Sequence, residues 1–219
     1  MKKLSLFLIL AISYYCASAQ TNYAGTYGYT TSTTAHPKDK TAIPGGTLVL
    51  VKMDGNKYRF WLDVLNGPPG WNRGETDGTI SFVNDTASFD NTFEDATHPC
   101  ILKFKISGST ININSQSTSF NCGFGNGVHA DADYPKLKAQ PVIDNKWLND
   151  QYHESPILAI SSKKALLYHD ENCRMQKEGS FAKGISLLNI SETENTFYTE
   201  YISPQGKFMY GWIKKADTK

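Results

Sequence analysis

The chain has 219 residues, enough for one large domain or two small ones, and its 22 basic and 21 acidic side chains leave a formal charge of +1. Hydrophobic residues make up 40% and charged residues 20%, a composition that can bury a core and is not that of a disordered tail. The near-neutral balance excludes a protein built to coat nucleic acid, which needs a basic surplus.

The first segment reads as a targeting signal. Lys2 and Lys3 precede an apolar run centred on Leu6, Phe7, Leu8, Ile9 and Leu10, and Ala17-Ser18-Ala19 is an A-x-A cleavage site ahead of Gln20. Residues 1–19 are therefore expected to be a secretory signal peptide. The apolar run is too short to cross about 30 Å of hydrocarbon as a helix. A lipid anchor on Cys16 would need small residues before it, where Tyr14 and Tyr15 stand. Loss of Lys2 and Lys3 shifts the formal charge from +1 to −1. The expected product is exported, periplasmic or secreted, with no transmembrane segment in the mature chain.

Export puts the remaining cysteines, Cys100, Cys122 and Cys173, in an oxidising compartment. Cys100 precedes one strand-like run and Cys122 follows the next, so a hairpin brings those two together. Their disulfide would stabilise the fold by about 3 kcal/mol on the chain-entropy argument. Cys173 is left over in the turn Asp170-Glu171-Asn172-Cys173, whose acidic neighbours raise a thiol pKa and so disfavour a nucleophile.

Helical periodicity is nearly absent along the rest of the chain. Short strands bounded by Gly, Pro, Asn or Asp recur at 24–31, 46–53, 57–64, 78–84, 86–91, 100–107 and 110–114. Tyr58, Phe60 and Leu62 alternate with Arg59, Trp61 and Asp63, the pattern of a half-buried strand. Residues 20–134 are expected to form an antiparallel β-barrel or sandwich, 135–149 a linker marked by Pro135 and Pro141, and 150–219 a second small β-barrel. The second series of strands is read at 157–161, 165–168, 184–190, 196–202 and 208–213. The fold class predicted is all-β, in two small antiparallel domains.

The second series resembles bacterial SH3-type domains. The residues that carry the resemblance are Leu167-Tyr168, Lys183-Gly184 leading into Ile185, Asn195-Thr196-Phe197, and the closing Gly211-Trp212-Ile213. Phe197 stands where the family often has Trp. The resemblance implies a five-stranded barrel that binds peptides or cell-wall material through an aromatic groove. Tyr168, Phe197, Tyr201 and Trp212 are the ligand-binding candidates it supplies, with Tyr210 weighed beside them. The first half is similar to a group of exported bacterial proteins without an assigned activity. The carrying features are Gly25-Thr26-Tyr27-Gly28-Tyr29, the 67–75 stretch and Cys122-Gly123-Phe124-Gly125-Asn126-Gly127-Val128.

Residues 67–78 read as a long glycine-rich loop, and Trp71, Asn72 and Arg73 are its ligand-binding candidates. Glu75 and Asp77 in the same stretch would serve glycoside hydrolysis only if they converged in a pocket. His129, Asp131 and Asp133 fall on one face of an extended chain, yet lack a fourth ligand, so no metal is assigned. The glycines after Cys122 lack the Lys-Ser/Thr of a phosphate loop. No G-x-S-x-G or H-E-x-x-H occurs, and His153 and His169 have no nucleophile partner. No catalytic residue and no cofactor is assigned. The expectation is a non-enzymatic binding protein for a cell-envelope peptide or glycan, or for an envelope protein. An inhibitor or immunity protein that plugs a lysozyme-like hydrolase with the 67–78 loop is the alternative, and a cell-wall hydrolase the third reading.

Overall fold

The computed structural model describes residues 21–31, 43–152 and 155–219. The expected signal peptide, with Cys16, and His153 lie outside the described residues. The described chain is nearly all antiparallel β-structure.

The first half is a sandwich of two four-stranded sheets. One holds β1 (Gly25–Thr30), β2 (Gly45–Lys52), β3 (Lys57–Leu65) and β4 (Arg73–Ser81), in that order. The other holds β5 (Thr86–Asp90), β6 (Ile101–Ser107), β7 (Thr110–Ser115) and β8 (Ala132–Pro135). A two-residue turn with positive φ at Asn84 (50°) and Asp85 (60°) carries the chain from one sheet to the other. The alternation read in β3 is realised: Tyr58, Phe60, Leu62 and Val64 point inward with Leu48, Leu50, Leu102, Phe104, Ile111, Ile113 and Tyr134. Large side chains fill this interior. The Cys100–Cys122 disulfide is formed, with sulfurs 2.00 Å apart.

β4 overturns the expectation of a loop across 67–78. The chain is extended from Arg73, and only residues 66–72 form the turn, which contains the cis peptide Pro68–Pro69. Its glycines face inward because aromatic rings lie over them. A Cβ on Gly74 would come within 2.4 Å of the Phe124 ring, and one on Gly78 within 2.4 Å of Phe89. The glycines therefore admit close packing between the sheets and are not a sign of flexibility.

The second half contains one six-stranded sheet. Its strands are β9 (Ile157–Ala159), β10 (Lys164–Tyr168), β11 (Gln176–Ala182), β12 (Ser186–Glu192), β13 (Thr196–Ile202) and β14 (Phe208–Lys214), in the order β11-β10-β14-β13-β12-β9. The strand at 176–182 was not foreseen. Among the described residues no closed barrel is found in either half, and the pairing leaves β11 and β9 as the edges of this sheet. Ile160, Ala165, Leu167, Phe181, Leu187 and Ile213 form its own core.

Residues 135–149 are in contact with both halves. Leu137 N–H donates to Thr26 O at 2.9 Å, and the Gln140 side chain bonds both backbone groups of Thr26. A short helix, α1 (Asn145–Gln151), follows, its N-terminus capped by Asp144, which accepts from Trp147 N–H at 2.8 Å. Leu148 of α1 is buried together with Val49 and Trp61 of the first half and with Leu188, Ile202 and Phe208 of the second. This shared cluster joins the halves. Among the described residues no helix is long and apolar enough to cross a membrane.

Candidate functional site

The outward faces of β3 and β4 carry Arg59, Trp61 and Asp63 beside Thr79, Asp77 and Glu75, each opposite its partner in the ladder. The second half covers part of this face. Where the cover stops, a cleft of about 490 Å³ opens between the sheet and α1. Trp61, Trp147 and Tyr152 supply its aromatic wall, with the two indoles edge to face at 5.1 Å. Thr47, Asp63, Arg73, Glu75, Asp77 and Gln151 supply its polar lining.

Tyr152 fixes the floor of the cleft. Its hydroxyl donates to Asp77 Oδ2 at 2.8 Å and accepts from Arg59 Nη2 at 2.6 Å and Trp61 Nε1 at 2.9 Å. Burial pushes its phenol pKa well above the ordinary value, so the hydroxyl stays protonated as this arrangement requires. The Arg59 guanidinium is buried, bonds Asp77, and brings Nε within 3.0 Å of Glu200 Oε1 on β13. It also lies over the Trp61 ring, 5.2 Å from its centre. Its pKa is raised: burial opposes its charge, but Glu200, Tyr152 and Asp77 together outweigh that. Glu200 is raised as well, because burial outweighs the attraction of Arg59. Desolvation therefore costs the carboxylate more than this pair returns to it.

Toward the open end of the cleft, Arg73 forks onto Asp63 through Nε and Nη2, at 2.9 and 2.7 Å, and reaches Glu75 at 2.8 Å. Asp63 and the hydrogen bonds it accepts hold the Arg73 pKa up. Glu75 and Asp77 thus share a cleft, as the hydrolase reading required, but each is already paired with a guanidinium.

The candidates drawn from the sequence are scattered. Arg73 lines the cleft. Trp71 sits half-exposed at the 66–72 turn with φ of 51°, and Asn72 is tied to the next loop by a 2.6 Å bond to Asn126 O. On the six-stranded sheet, Tyr168 pairs with Trp212, so the two share a face, and Tyr198 meets Trp212 at 5.4 Å. Phe197 and Tyr201 alternate to the opposite face, where both pack on the core of the second half. The four aromatics of the expected groove are divided between the two faces of the sheet.

Asp131 and Asp133 are engaged by asparagines, Asn114 at 3.1 Å and Asn112 at 2.9 Å, and among the described residues no cluster of potential metal ligands is found. Cys173 is a half-buried free thiol, its pKa raised first by burial and then by Asp170, against the pull of Lys214.

Sequence reasoning missed Trp147, Gln151 and Tyr152, because α1 is short and straddles the boundary between the stretch read as a linker and the stretch read as the second barrel. Trp61 carried a usable signal, as a large aromatic on the outward side of a strand marks a face with a second partner. Compared with family models, with curated proteins and with solved structures, the chain matches none.

Proposed function

We propose that this protein is exported and acts without catalysis, binding a cell-envelope component, the peptide or glycan of the wall, in the cleft between α1 and the first sheet. The observation that carries the reading is the aromatic wall of Trp61, Trp147 and Tyr152 facing carboxylates that are already paired. Flat indole and phenol surfaces suit the apolar faces of sugars and peptides. Fixed ion pairs and the exposed Gln151 amide offer directional hydrogen bonds. Acid–base hydrolysis would instead need one carboxyl holding a proton and one free carboxylate. Here Asp77 is bonded to Arg59 and Tyr152, and Glu75 to Arg73, which favours binding. The disulfide fits an oxidising compartment. The SH3-type resemblance supports the same class of ligand, with Tyr168 and Trp212 as a second contact on their shared face.

A pulldown on purified peptidoglycan tests this. Wild type is retained, and Thr47→Arg, which fills the cleft from an exposed strand position, is not. Gln151→Ala weakens retention. Trp212→Ala measures the share of the second face. Wild type washing through would remove the wall ligand, and full retention of Thr47→Arg would remove the cleft.

A further inference from the structure

A second cleft, of about 510 Å³, opens onto the apolar cluster at the joint and shares no lining residue with the aromatic one. Val51 and Met53 enter it from the end of β2, Ile143 from the stretch before α1, and Ile202 and Phe208 from the β13–β14 hairpin. Val142, between the lining residues Pro141 and Ile143, is 78% exposed. Among the described residues that line this cleft, Phe208 is the only aromatic one and Asp54 the only carboxylate. Aliphatic side chains and an adaptable thioether suit a flexible alkyl chain better than the flat face of a sugar.

The walls are held before any ligand arrives. Gln140 bonds Thr26 N–H at 2.6 Å, Thr26 O at 3.0 Å and Leu137 O at 2.6 Å, which fixes the stretch before α1. In the β13–β14 turn, Ser203 N–H donates to Lys207 O at 2.9 Å and Lys207 N–H to Ser203 Oγ at 3.1 Å. A fixed wall leaves little ordering to lose on binding.

The charge of this cleft is positive. Lys52 lines it from the first half and Lys207 from the second. Asp54 is already committed: its Oδ2 accepts from the Tyr210 hydroxyl at 2.8 Å and lies 3.2 Å from Lys177 Nζ. The Tyr210 bond first, and then Lys177, hold its carboxyl below the usual range. Burial lowers the Lys177 pKa against the hold of Asp54, and Lys207 and Lys57 lower it further. Ammonium groups thus crowd one another here, and an anion placed among them relieves that repulsion. Residues 1–20, which join the chain beside the cleft at Thr21, contain no Asp or Glu to oppose it. The connection from Thr30 to Gly45 leaves β1 and β2 at the ends far from the cleft.

We propose that this cleft binds a single-chain amphipathic anion, an acyl chain ending in a carboxylate or phosphate, with the chain along Val51, Met53, Ile143 and Phe208 and the anion at Lys52 and Lys207. The site does not depend on the wall ligand of the aromatic cleft.

Isothermal titration of the purified protein with dodecanoate, below its micelle concentration, tests this. Dodecyl phosphate, dodecylamine, butanoate and phosphatidylglycerol vesicles are the further arms. Dodecanoate and dodecyl phosphate should each bind once per chain, and dodecylamine and butanoate about tenfold or more weaker, for want of the charge and of the chain respectively. Lys207→Glu, on an exposed turn, should weaken dodecanoate about tenfold at unchanged Tm. Lys183→Glu makes the same charge change outside the lining and should leave affinity unchanged, as should Thr47→Arg in the aromatic cleft. No saturable dodecanoate binding, binding to vesicles alone, equal affinity for dodecylamine or butanoate, or Lys207→Glu no weaker than Lys183→Glu would each overturn the proposal. Loss of dodecanoate binding in Thr47→Arg would overturn it too, by placing the ligand in the aromatic cleft.

Discussion

The two sheets of the sandwich share one interior and differ on their outward faces. On the β5–β8 sheet, Thr86, Lys105, Asn112 and Asp133 lie side by side across the strands, and Ser88, Lys103 and Asn114 form the next row. Lys103 reaches Ser88 at 3.0 Å and Asn112 reaches Asp133 at 2.9 Å, all in contact with water. On the β1–β4 sheet, the equivalent positions hold Val49, Val51, Trp61 and Arg59, packed under the second half. A face that ends in solvent is built from short and charged side chains that satisfy one another. A face that meets a partner carries apolar residues and a cation with one counter-ion on the same sheet and a second, Glu200, from another part of the chain.

Breaking the covered face should have by far the largest effect. Arg59→Ala leaves Glu200 buried without its cation and should cost about 3–5 kcal/mol in denaturant unfolding. A loss under 1 kcal/mol, well below the usual cost of breaking a buried pair, would show that the joint is wet. Tyr152→Phe removes one hydroxyl but strands the buried Trp61 Nε1–H, and should cost about 1–3 kcal/mol. A smaller change comes from Glu200→Gln. Burial raises the Glu200 carboxyl from its ordinary 4.5, so the folded chain keeps this proton at pH values where the unfolded chain has released it. Its stabilising contribution is full below the unfolded value and is lost as pH rises through the folded one. The Tm of Glu200→Gln minus that of wild type should therefore rise with pH above 4.5, and a flat difference would count against burial as the cause. The solvated face should give the least response. Lys105→Ala should change stability by no more than about 0.5 kcal/mol.

The same contrast explains what was legible in the sequence. β3, β6 and β7 alternate apolar and polar residues, and their positions were plain. β4 was not, because its inward positions include Gly74 and Gly78, and only the rings of Phe124 and Phe89 on distant segments explain them. β11, Gln-Lys-Glu-Gly-Ser-Phe-Ala, buries only Phe181 fully and so lacks a clear period. α1 has seven residues and one buried side chain, too little for a helical stripe to register. The disulfide followed from hairpin geometry. The cleft could not, since its wall joins Trp61 to a tyrosine 91 positions later. Alternation says that a residue points outward and is silent about what awaits it there.

The joint between the halves has a consequence for how the chain is made. Tyr210 closes on Asp54 across 156 positions, and Arg59 meets its buried counter-ion only at Glu200. Synthesis from the amino terminus delivers every strand of the sandwich before either partner exists. A sandwich that closed in that interval would leave Val49, Val51 and Trp61 facing water. Such a nascent intermediate is sticky by construction, and a holding chaperone would find its natural grip on that one face.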